Sequence, residues 1–276
     1  MKYRHAHHAG NFADVHKHIA LLALLEALKR KEKGFLYLET HAGSGTYELA
    51  GEMAREARLG IERFTAAGHE AEELRQYSNA VAAFRKARGT PHAYPGSPVL
   101  AAAALRPQDR AVLVEIMASE ARALEQAVAF QAGVRMECDD GYARLRAHLP
   151  PAERRGLTFI DPPYEETRQE FKRVQAAIAE ALQRFETGVV AAWYPIKQEA
   201  DTAAWHKSLA ASLSREALIC ELWLYPRDSR VGLNGSGLLI VNPPYLFAEQ
   251  LRAWLPELHS RLDPERAGGW SARALS

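Results

Sequence analysis

The sequence has few cysteines, little net charge and no long apolar stretch. Cys138 and Cys220 are its two cysteines among 276 residues, too few for a disulfide scaffold or a cysteine-based metal framework. No apolar run approaches the ~18 residues of a membrane span, and the opening MKYRHAHHAGN lacks the hydrophobic core of a signal peptide. We therefore expect a cytoplasmic protein without a membrane segment.

Charge is balanced over the whole chain but not along it. Lysine and arginine number 35 against 34 acidic residues, for a net charge of +1, whereas a protein that binds nucleic acid over its whole surface is usually more basic. Residues 1–33 carry seven of the basic and three of the acidic residues, with five of the eleven histidines. This stretch favours a local anion-facing patch. The lysines within 29–33 have an equally good alternative explanation, because cations at the C-terminal end of a helix interact favourably with the helix dipole.

The composition, 47% hydrophobic and 25% charged, is that of an ordinary globular protein. A first helix is predicted from Asp14 to the glycine at position 34. Seven short apolar runs predict strands at 35–40, 111–116, 134–138, 157–160, 189–194, 218–225 and 237–242. Helical stretches separate most of them, which indicates an α/β fold with a mainly parallel sheet and helices on both faces. The last two runs are too close for a helical crossover and predict a terminal antiparallel hairpin.

One segment interrupts the alternation of strands and helices. Residues 50–92 are charged and alanine-rich, with a helical pattern and no strand, where about 20 residues would suffice as a connection. We expect a single domain over 1–276, with a small helical insertion at 50–92 and the ligand-binding loops at the carboxyl edge of the sheet.

The sharpest chemical signal is Asp161-Pro162-Pro163-Tyr164, directly after the apolar run 157–160. The exocyclic amine of adenine is a poor nucleophile because its lone pair is delocalised into the ring. A carboxylate on a stiff turn can accept a hydrogen bond from this amine, orient the lone pair and receive the charge that develops. Tyr164 offers a ring face to an extruded base. The pattern favours amine methylation, with Asp161 as the hydrogen-bond acceptor of the amine; the alternative is a strand exit with an aromatic plug.

A second copy of the pattern, Asn242-Pro243-Pro244-Tyr245, follows the last apolar run. In an open α/β sheet, ligands bind at the crevice where the strand order reverses, formed here by the first and fourth predicted strands. Asp161 ends the fourth strand, whereas Asn242 ends the seventh, distant from that crevice. We interpret the second copy as a structural strand exit.

Acidic residues and a glycine-bearing turn follow the other predicted strands. The turn 40–45, THAGSG, ends the first strand, Glu115 ends the second, and Asp140-Gly141 ends the third. A carboxylate at the second position can accept both ribose hydroxyls, and one at the third can accept from an adenine amine. Taken singly, an acidic residue or a glycine-bearing turn of this kind is more often an ordinary surface feature than part of a ligand site. Their order, followed by Asp161, predicts an S-adenosylmethionine site.

Two other ligand classes fit less well. HAGSG is not the GxGxxG of a dinucleotide site, and hydride transfer gives no role to Asp161 and its prolines. His16 and His18 are two apart on a predicted helix and so do not share a face, and no cysteine or acidic partner completes a metal set. We expect no metal.

Taken together, these motifs resemble those of the RlmJ family, the 23S ribosomal RNA adenine-N6 methyltransferases. The similarity spans nearly the whole chain. Near the beginning it is carried by Tyr3-Arg4-His5-x-x-His8-Ala9-Gly10-Asn11 with Asp14, Lys17 and His18. Further along the chain it is carried by residues 35–43, 94–98 and 155–157, by Asp161-Pro-Pro-Tyr, by Trp193-Tyr194-Pro195 and by the late Asn-Pro-Pro. The resemblance implies a Rossmann-like class I methyltransferase core and methyl transfer from S-adenosylmethionine to one adenine, position 2030, of 23S RNA that is protein-free or in early assembly.

The resemblance also implies roles for individual residues, with Asp161 as the catalytic proton acceptor. The cofactor contacts fall on His18, His41, Ser97, Glu115, Asp140, Gly141 and Asp161, and the substrate RNA contacts on Tyr3, His5, Lys17 and Tyr164. Spacing alone marks Ser97 only as a helix N-cap before Pro98.

Two alternative functions stay open from the sequence. A DNA adenine-N6 methyltransferase would use the same Asp-Pro-Pro-Tyr chemistry, although an insertion of 43 residues is small for reading base edges in a major groove. A non-catalytic ribosome-assembly factor that binds RNA would have no need of the acidic residues Asp161, Glu115 and Asp140.

Overall fold

The computed structural model describes residues 9–51, 53–66, 68–227, 229 and 231–276. Tyr3 and His5, two of the predicted RNA contacts, lie outside these residues. Within them, none of the helices is both long and apolar enough to cross a membrane.

Helices and strands alternate along most of the chain. The helices are α1 (Phe12–Lys29), α2 (Met53–Ala57), α3 (Arg63–Thr65), α4 (Glu72–Arg88), α5 (Ser97–Ala104), α6 (Ala118–Val128), α7 (Gly141–His148), α8 (Thr167–Arg184), α9 (Glu199–Ser212) and α10 (Phe247–Leu262), with a π-helical turn at Arg58–Glu62. The strands are β1 (Leu36–Glu39), β2 (Thr46–Glu48), β3 (Ala93–Pro95), β4 (Arg110–Val114), β5 (Val134–Glu137), β6 (Gly156–Ile160), β7 (Val189–Ile196), β8 (Ala217–Trp223), β9 (Gly235–Val241) and β10 (Gly269–Ala274).

The main sheet has the strand order β5-β4-β1-β6-β7-β9-β8-β10. The first five of these strands are parallel, and β9 is antiparallel to β7 and to β8. The α/β class and the antiparallel hairpin are thus confirmed. The first and fourth predicted strands, β1 and β6, are indeed neighbours, so the strand order reverses between them.

The predicted count of seven strands is wrong, because β10 adds an eighth strand to the main sheet. Strand β10 lies at the edge of the sheet, and its residues are half-buried or exposed. Its sequence, GWSARA, therefore needs no apolar run by which it could have been predicted. A separate two-stranded sheet joins β2 to β3 through three residues on each side, too few to give a periodic pattern. Helices α2, α3 and α4 lie between β2 and β3, and α4 packs against α1 and α10.

Helix α1 begins earlier than predicted and is buried along nearly its whole length. Asn11, rather than Asp14, is its N-cap, and the Asn11 side chain accepts a hydrogen bond from the Asp14 amide. The helix packs against the sheet at β6 and β9 on one side and against α4, α5 and α10 on others, which explains its apolar character all round. It thereby places polar side chains of its first turns, including Lys17, inside the protein at the carboxyl edge of the sheet.

Candidate active site

Asp161 and Lys17 form a buried ion pair where β6 ends. The Lys17 ammonium donates to Asp161 Oδ2 at 2.7 Å and lies 2.8 Å from Asp14 Oδ1. The two partners of the first pair are 3% and 8% exposed in their side chains. Burial alone would lower the pKa of Lys17, but the two carboxylates outweigh it and raise the pKa above its ordinary value, so the lysine is charged. Within the described ranges, Asp161 Oδ1 accepts no hydrogen bond.

Glu115, directly after β4, holds the glycine turn that follows β1. One of its carboxylate oxygens accepts from the Gly43 amide at 2.8 Å and the other from the Met117 amide at 2.7 Å. Gly43 has a φ of +62°, which glycine adopts without strain. Ile116 and Met117, 59% and 47% exposed, place apolar surface beside this carboxylate. The end of β4 therefore combines a partly desolvated acid with an open apolar wall.

Asp140 and Gly141 begin α7 in close contact with the end of β1. Asp140 is the N-cap, and its carboxylate accepts from the amides of Tyr142 and Ala143. A Cβ on Gly141 would lie 1.8 Å from the carbonyl oxygen of Thr40, so only glycine allows the helix to approach the strand this closely. The third predicted acid is thus a helix cap whose oxygens remain exposed to solvent.

His41 and His18 occupy different environments. His41 lies edge-on to the Tyr142 ring at 4.8 Å and within reach of Thr40, and burial lowers the pKa of its imidazole to about 4. His18 lies deeper in α1, where its Nδ1 is 3.0 Å from the hydroxyl of Tyr94. His41 thus lies beside the glycine turn, whereas the His18 ring lies against Tyr77 of α4 and Tyr94 of β3.

Tyr164 does not present the stacking face that was predicted for it. Its side chain is 4% exposed, because Phe171 and Trp193 both pack edge-on against the ring. Its hydroxyl donates to the carbonyl oxygen of Trp193 at 2.7 Å. The stiff Pro-Pro turn therefore inserts this aromatic ring into the core instead of aiming it at the cleft.

The second Pro-Pro copy lies at the opposite edge of the sheet. The Asn242 amide donates to the carbonyl oxygens of Glu186 and Gly188 at 2.8 Å each, at the beginning of β7. Because β9 runs antiparallel to β7, its end lies where the parallel strands begin, away from Asp161. In these contacts Asn242 serves as a strand exit.

No group of three or more histidine, cysteine or acidic side chains among the described residues is arranged to hold a metal ion. His16, which the spacing placed next to His18, is fully buried and contacts Ser236 and Cys220.

Known proteins share this chain's sequence and fold over nearly its full length. Residues 32–275 match the family described as "Ribosomal RNA large subunit methyltransferase D, RlmJ". The chain belongs to the RlmJ family. It is 39% identical to a protein of Haemophilus influenzae (100% of this chain, 99% of the relative) and 40% identical to one of Escherichia coli (97% and 96%), both named "Ribosomal RNA large subunit methyltransferase J". A Legionella pneumophila crystal structure is similar with a TM-score of 0.88 and 36% identity, covering 98% of this chain and 99% of that one.

In this member of the RlmJ family, sequence reasoning missed Glu39, the last residue of β1. Its carboxylate accepts from the hydroxyls of Ser97 and of Tyr37, which explains the position of Ser97 at the start of α5. Burial raises the pKa of Glu39 to about 8, although both hydrogen bonds oppose the rise. An acid at the end of an apolar strand is the signal that could have found it.

The raised pKa of Glu39 predicts a pH-dependent contribution to stability. Between the ordinary value of 4.5 and about 8, the folded protein holds a proton that the unfolded chain releases, so the free energy of unfolding falls as pH rises. Glu39→Gln is neutral at every pH and should lose less stability across this window in urea denaturation. Glu62→Gln, at an exposed acid, is the control. Parallel curves for wild type and Glu39→Gln would contradict the prediction.

Proposed function

We propose that this protein transfers a methyl group from S-adenosylmethionine to the N6 amine of one adenine in the 23S RNA of the large ribosomal subunit. The observation that carries the proposal is the Asp161 carboxylate, with Oδ2 held by Lys17 and Oδ1 without a donor among the described residues, on a Pro-Pro turn beside the crevice between β1 and β6. The relatives' names, which specify large-subunit ribosomal RNA, support the choice of substrate.

The residues at the strand ends fit S-adenosylmethionine by their chemistry. Glu115 can still accept hydrogen bonds from two ribose hydroxyls, because each of its oxygens uses one lone pair on an amide. Ile116 and Met117 supply apolar surface for an adenine ring. Asp140 supplies an acceptor for the adenine amine, and His18, His41, Ser97 and Gly141 complete the proposed cofactor contacts. Bound there, the cofactor would supply an electrophilic methyl group.

Asp161 supplies the remaining chemistry. Its Oδ1 accepts a hydrogen bond from the target amine and directs the nitrogen lone pair toward the methyl carbon. As the N–C bond forms, the methyl–sulfur bond would break with its electron pair left on sulfur, and the fixed carboxylate would stabilise the positive charge that develops on the nitrogen and take the proton. Lys17 holds the other oxygen, so the carboxylate needs no reorganisation when the base arrives.

The N-terminal segment is proposed to contact the RNA. Tyr3 can stack on or hydrogen-bond a flipped adenine, and His5 can neutralise charge on its phosphates. Lys17, the third RNA contact predicted for this end of the chain, is buried in its ion pair with Asp161 and can act on the target base only beside that carboxylate. Family resemblance supports our choice of adenine 2030 as the target and of RNA that is protein-free or in early assembly as the substrate. We place the reaction in the cytoplasm and without a metal ion.

Transfer of tritium from labelled S-adenosylmethionine tests the proposal. We expect label in protein-free 23S RNA and none in duplex DNA of the same length. Label in DNA would favour the alternative DNA adenine-N6 methyltransferase, and binding of RNA without transfer would favour a non-catalytic assembly factor.

Glu115→Ala tests the cofactor site separately. Loss of two charge-assisted hydrogen bonds should weaken binding of S-adenosylhomocysteine by about 1.5–3 kcal/mol, measured by calorimetric titration. Glu115→Gln, which keeps one acceptor oxygen, should lose less. Unchanged affinity in the alanine variant would place the ribose elsewhere.

A further inference from the structure

Trp193 lies beside Asp161 on the neighbouring strand. In the parallel register of β6 and β7, Ile160 pairs with Ala192, so the next residues along the two strands are Asp161 and Trp193. Neighbouring strands are ~4.8 Å apart, which brings the indole next to the carboxylate. The Lys17 ammonium that binds Asp161 also lies 5.4 Å from the centre of the Trp193 ring. The ring and the carboxylate therefore border one space.

The position of Trp193 in β7 is unusual for that strand. It is the half-buried residue in a strand whose other residues are all buried. Tyr164, by contrast, belongs to the apolar cluster with Ile160 and Phe171, on the opposite face of the sheet from Phe159 and the helix α1. Of these two aromatic residues, Tyr164 is buried, whereas Trp193 is partly exposed and its ring is the one that the Lys17 ammonium approaches.

A buried polar set fixes the orientation of this ring. The indole N–H donates to Ser236 Oγ at 2.9 Å, and His16 Nδ1 lies 2.9 Å from the same oxygen. His16 is fully buried, and burial lowers the pKa of its imidazole to about 3, so it is neutral there. Two buried polar groups at the helix–sheet interface are costly unless paired. Their pairing leaves the Trp193 ring with a single preferred orientation.

We infer that Trp193, and not Tyr164, is the aromatic surface on which the target base stacks. The inference rests on the proposed function. An adenine that presents its N6 amine to Asp161 Oδ1 lies along the neighbouring indole, and stacking on an aromatic ring offsets the loss of stacking that extrusion from the RNA costs. Ser236 is a positioning residue, because it acts on the base only through the indole N–H.

Methylation kinetics on protein-free 23S RNA test the inference. Trp193→Leu should lower kcat/KM about 10- to 100-fold, the range for loss of one base–aromatic stack, mainly by raising KM. Trp193→Phe keeps a ring but loses the indole N–H, so it should lower kcat/KM by only about three- to tenfold. Trp270→Leu, on the edge strand β10, is the matched control. Affinity for S-adenosylhomocysteine, measured for every variant, should be unchanged and reports a folded site.

A double-mutant cycle separates positioning from general packing. Ser236→Ala should lower kcat/KM about three- to tenfold in the wild-type background, but have no further effect in Trp193→Phe, which has no indole N–H. Equal effects of Ser236→Ala in both backgrounds would overturn the positioning role.

A fluorescence measurement does not depend on the folding of the leucine variant. The difference in tryptophan emission between wild type and Trp193→Phe isolates Trp193. We expect quenching by an RNA fragment that contains the target adenine, and none by the same fragment abasic at that position. Two results would overturn this inference and leave the proposed function standing. One is equal quenching by both fragments, and the other is a Trp193→Leu enzyme as active as a wild type that methylates the RNA. A wild type that methylates no RNA would overturn the proposed function and the inference with it.

Discussion

Asp161→Ala is expected to reduce methyl transfer to RNA by about 10²–10⁴-fold while the protein stays folded. The variant removes the acceptor that orients the amine and takes its proton. Lys17 keeps a partner, since its ammonium is also 2.8 Å from Asp14. Single-turnover rates with labelled S-adenosylmethionine measure the effect, and circular dichroism checks the fold.

Asp161→Asn should be nearly as harmful as the alanine variant. Its amide keeps the shape of the side chain but cannot take up the positive charge that develops on the nitrogen. Asn242→Ala is the matched control in the second Pro-Pro copy, and its rate should change little. A rate within threefold of wild type for Asp161→Ala would refute the assignment. A severe loss in a folded Asn242→Ala would mean that the other copy is the functional one.

Lys17→Met should have the largest effect on stability. It leaves Asp14 and Asp161 buried without their shared cation, and breaking a buried ion pair in this way typically costs about 3–5 kcal/mol. For a chain of this size, the corresponding fall in Tm is about 6–20 °C. Methyl transfer should fall as well, because nothing then holds Oδ2 of Asp161. Differential scanning calorimetry and single-turnover rates measure the two effects.

Lys31→Met is the control for this prediction. Lys31 is exposed just beyond the end of α1, and a surface change of this kind is usually worth less than about 0.5 kcal/mol. The raised pKa of Lys17 keeps it charged at neutral pH. The difference in the free energy of unfolding between wild type and Lys17→Met should therefore change between pH 6 and 8 no more than the difference between wild type and Lys31→Met. A Lys17→Met protein as stable as Lys31→Met would show that the ion pair contributes nothing.

The sequence by itself determined the features that depend on neighbours along the chain. The apolar run before Asp161 predicted β6, and the short link between the last two runs predicted the pairing of β8 with β9. Alternation of strands and helices predicted the parallel sheet and, with it, the adjacency of β1 and β6. These inferences held because periodicity and connection length restrict the local backbone and the topology directly.

Only the tertiary structure decided which side chains meet at the site. Lys17 and Asp161 are 144 positions apart, and their contact depends on α1 lying across the sheet at β6 and β9. The Pro-Pro turn identified Tyr164 but could not show that Phe171 and Trp193 enclose its ring. Sequence patterns report burial along one element, whereas the direction and partner of a side chain follow from packing between elements distant in the chain. For that reason the Asp161 carboxylate could be singled out from the sequence, and its lysine partner and the Trp193 ring beside it could not.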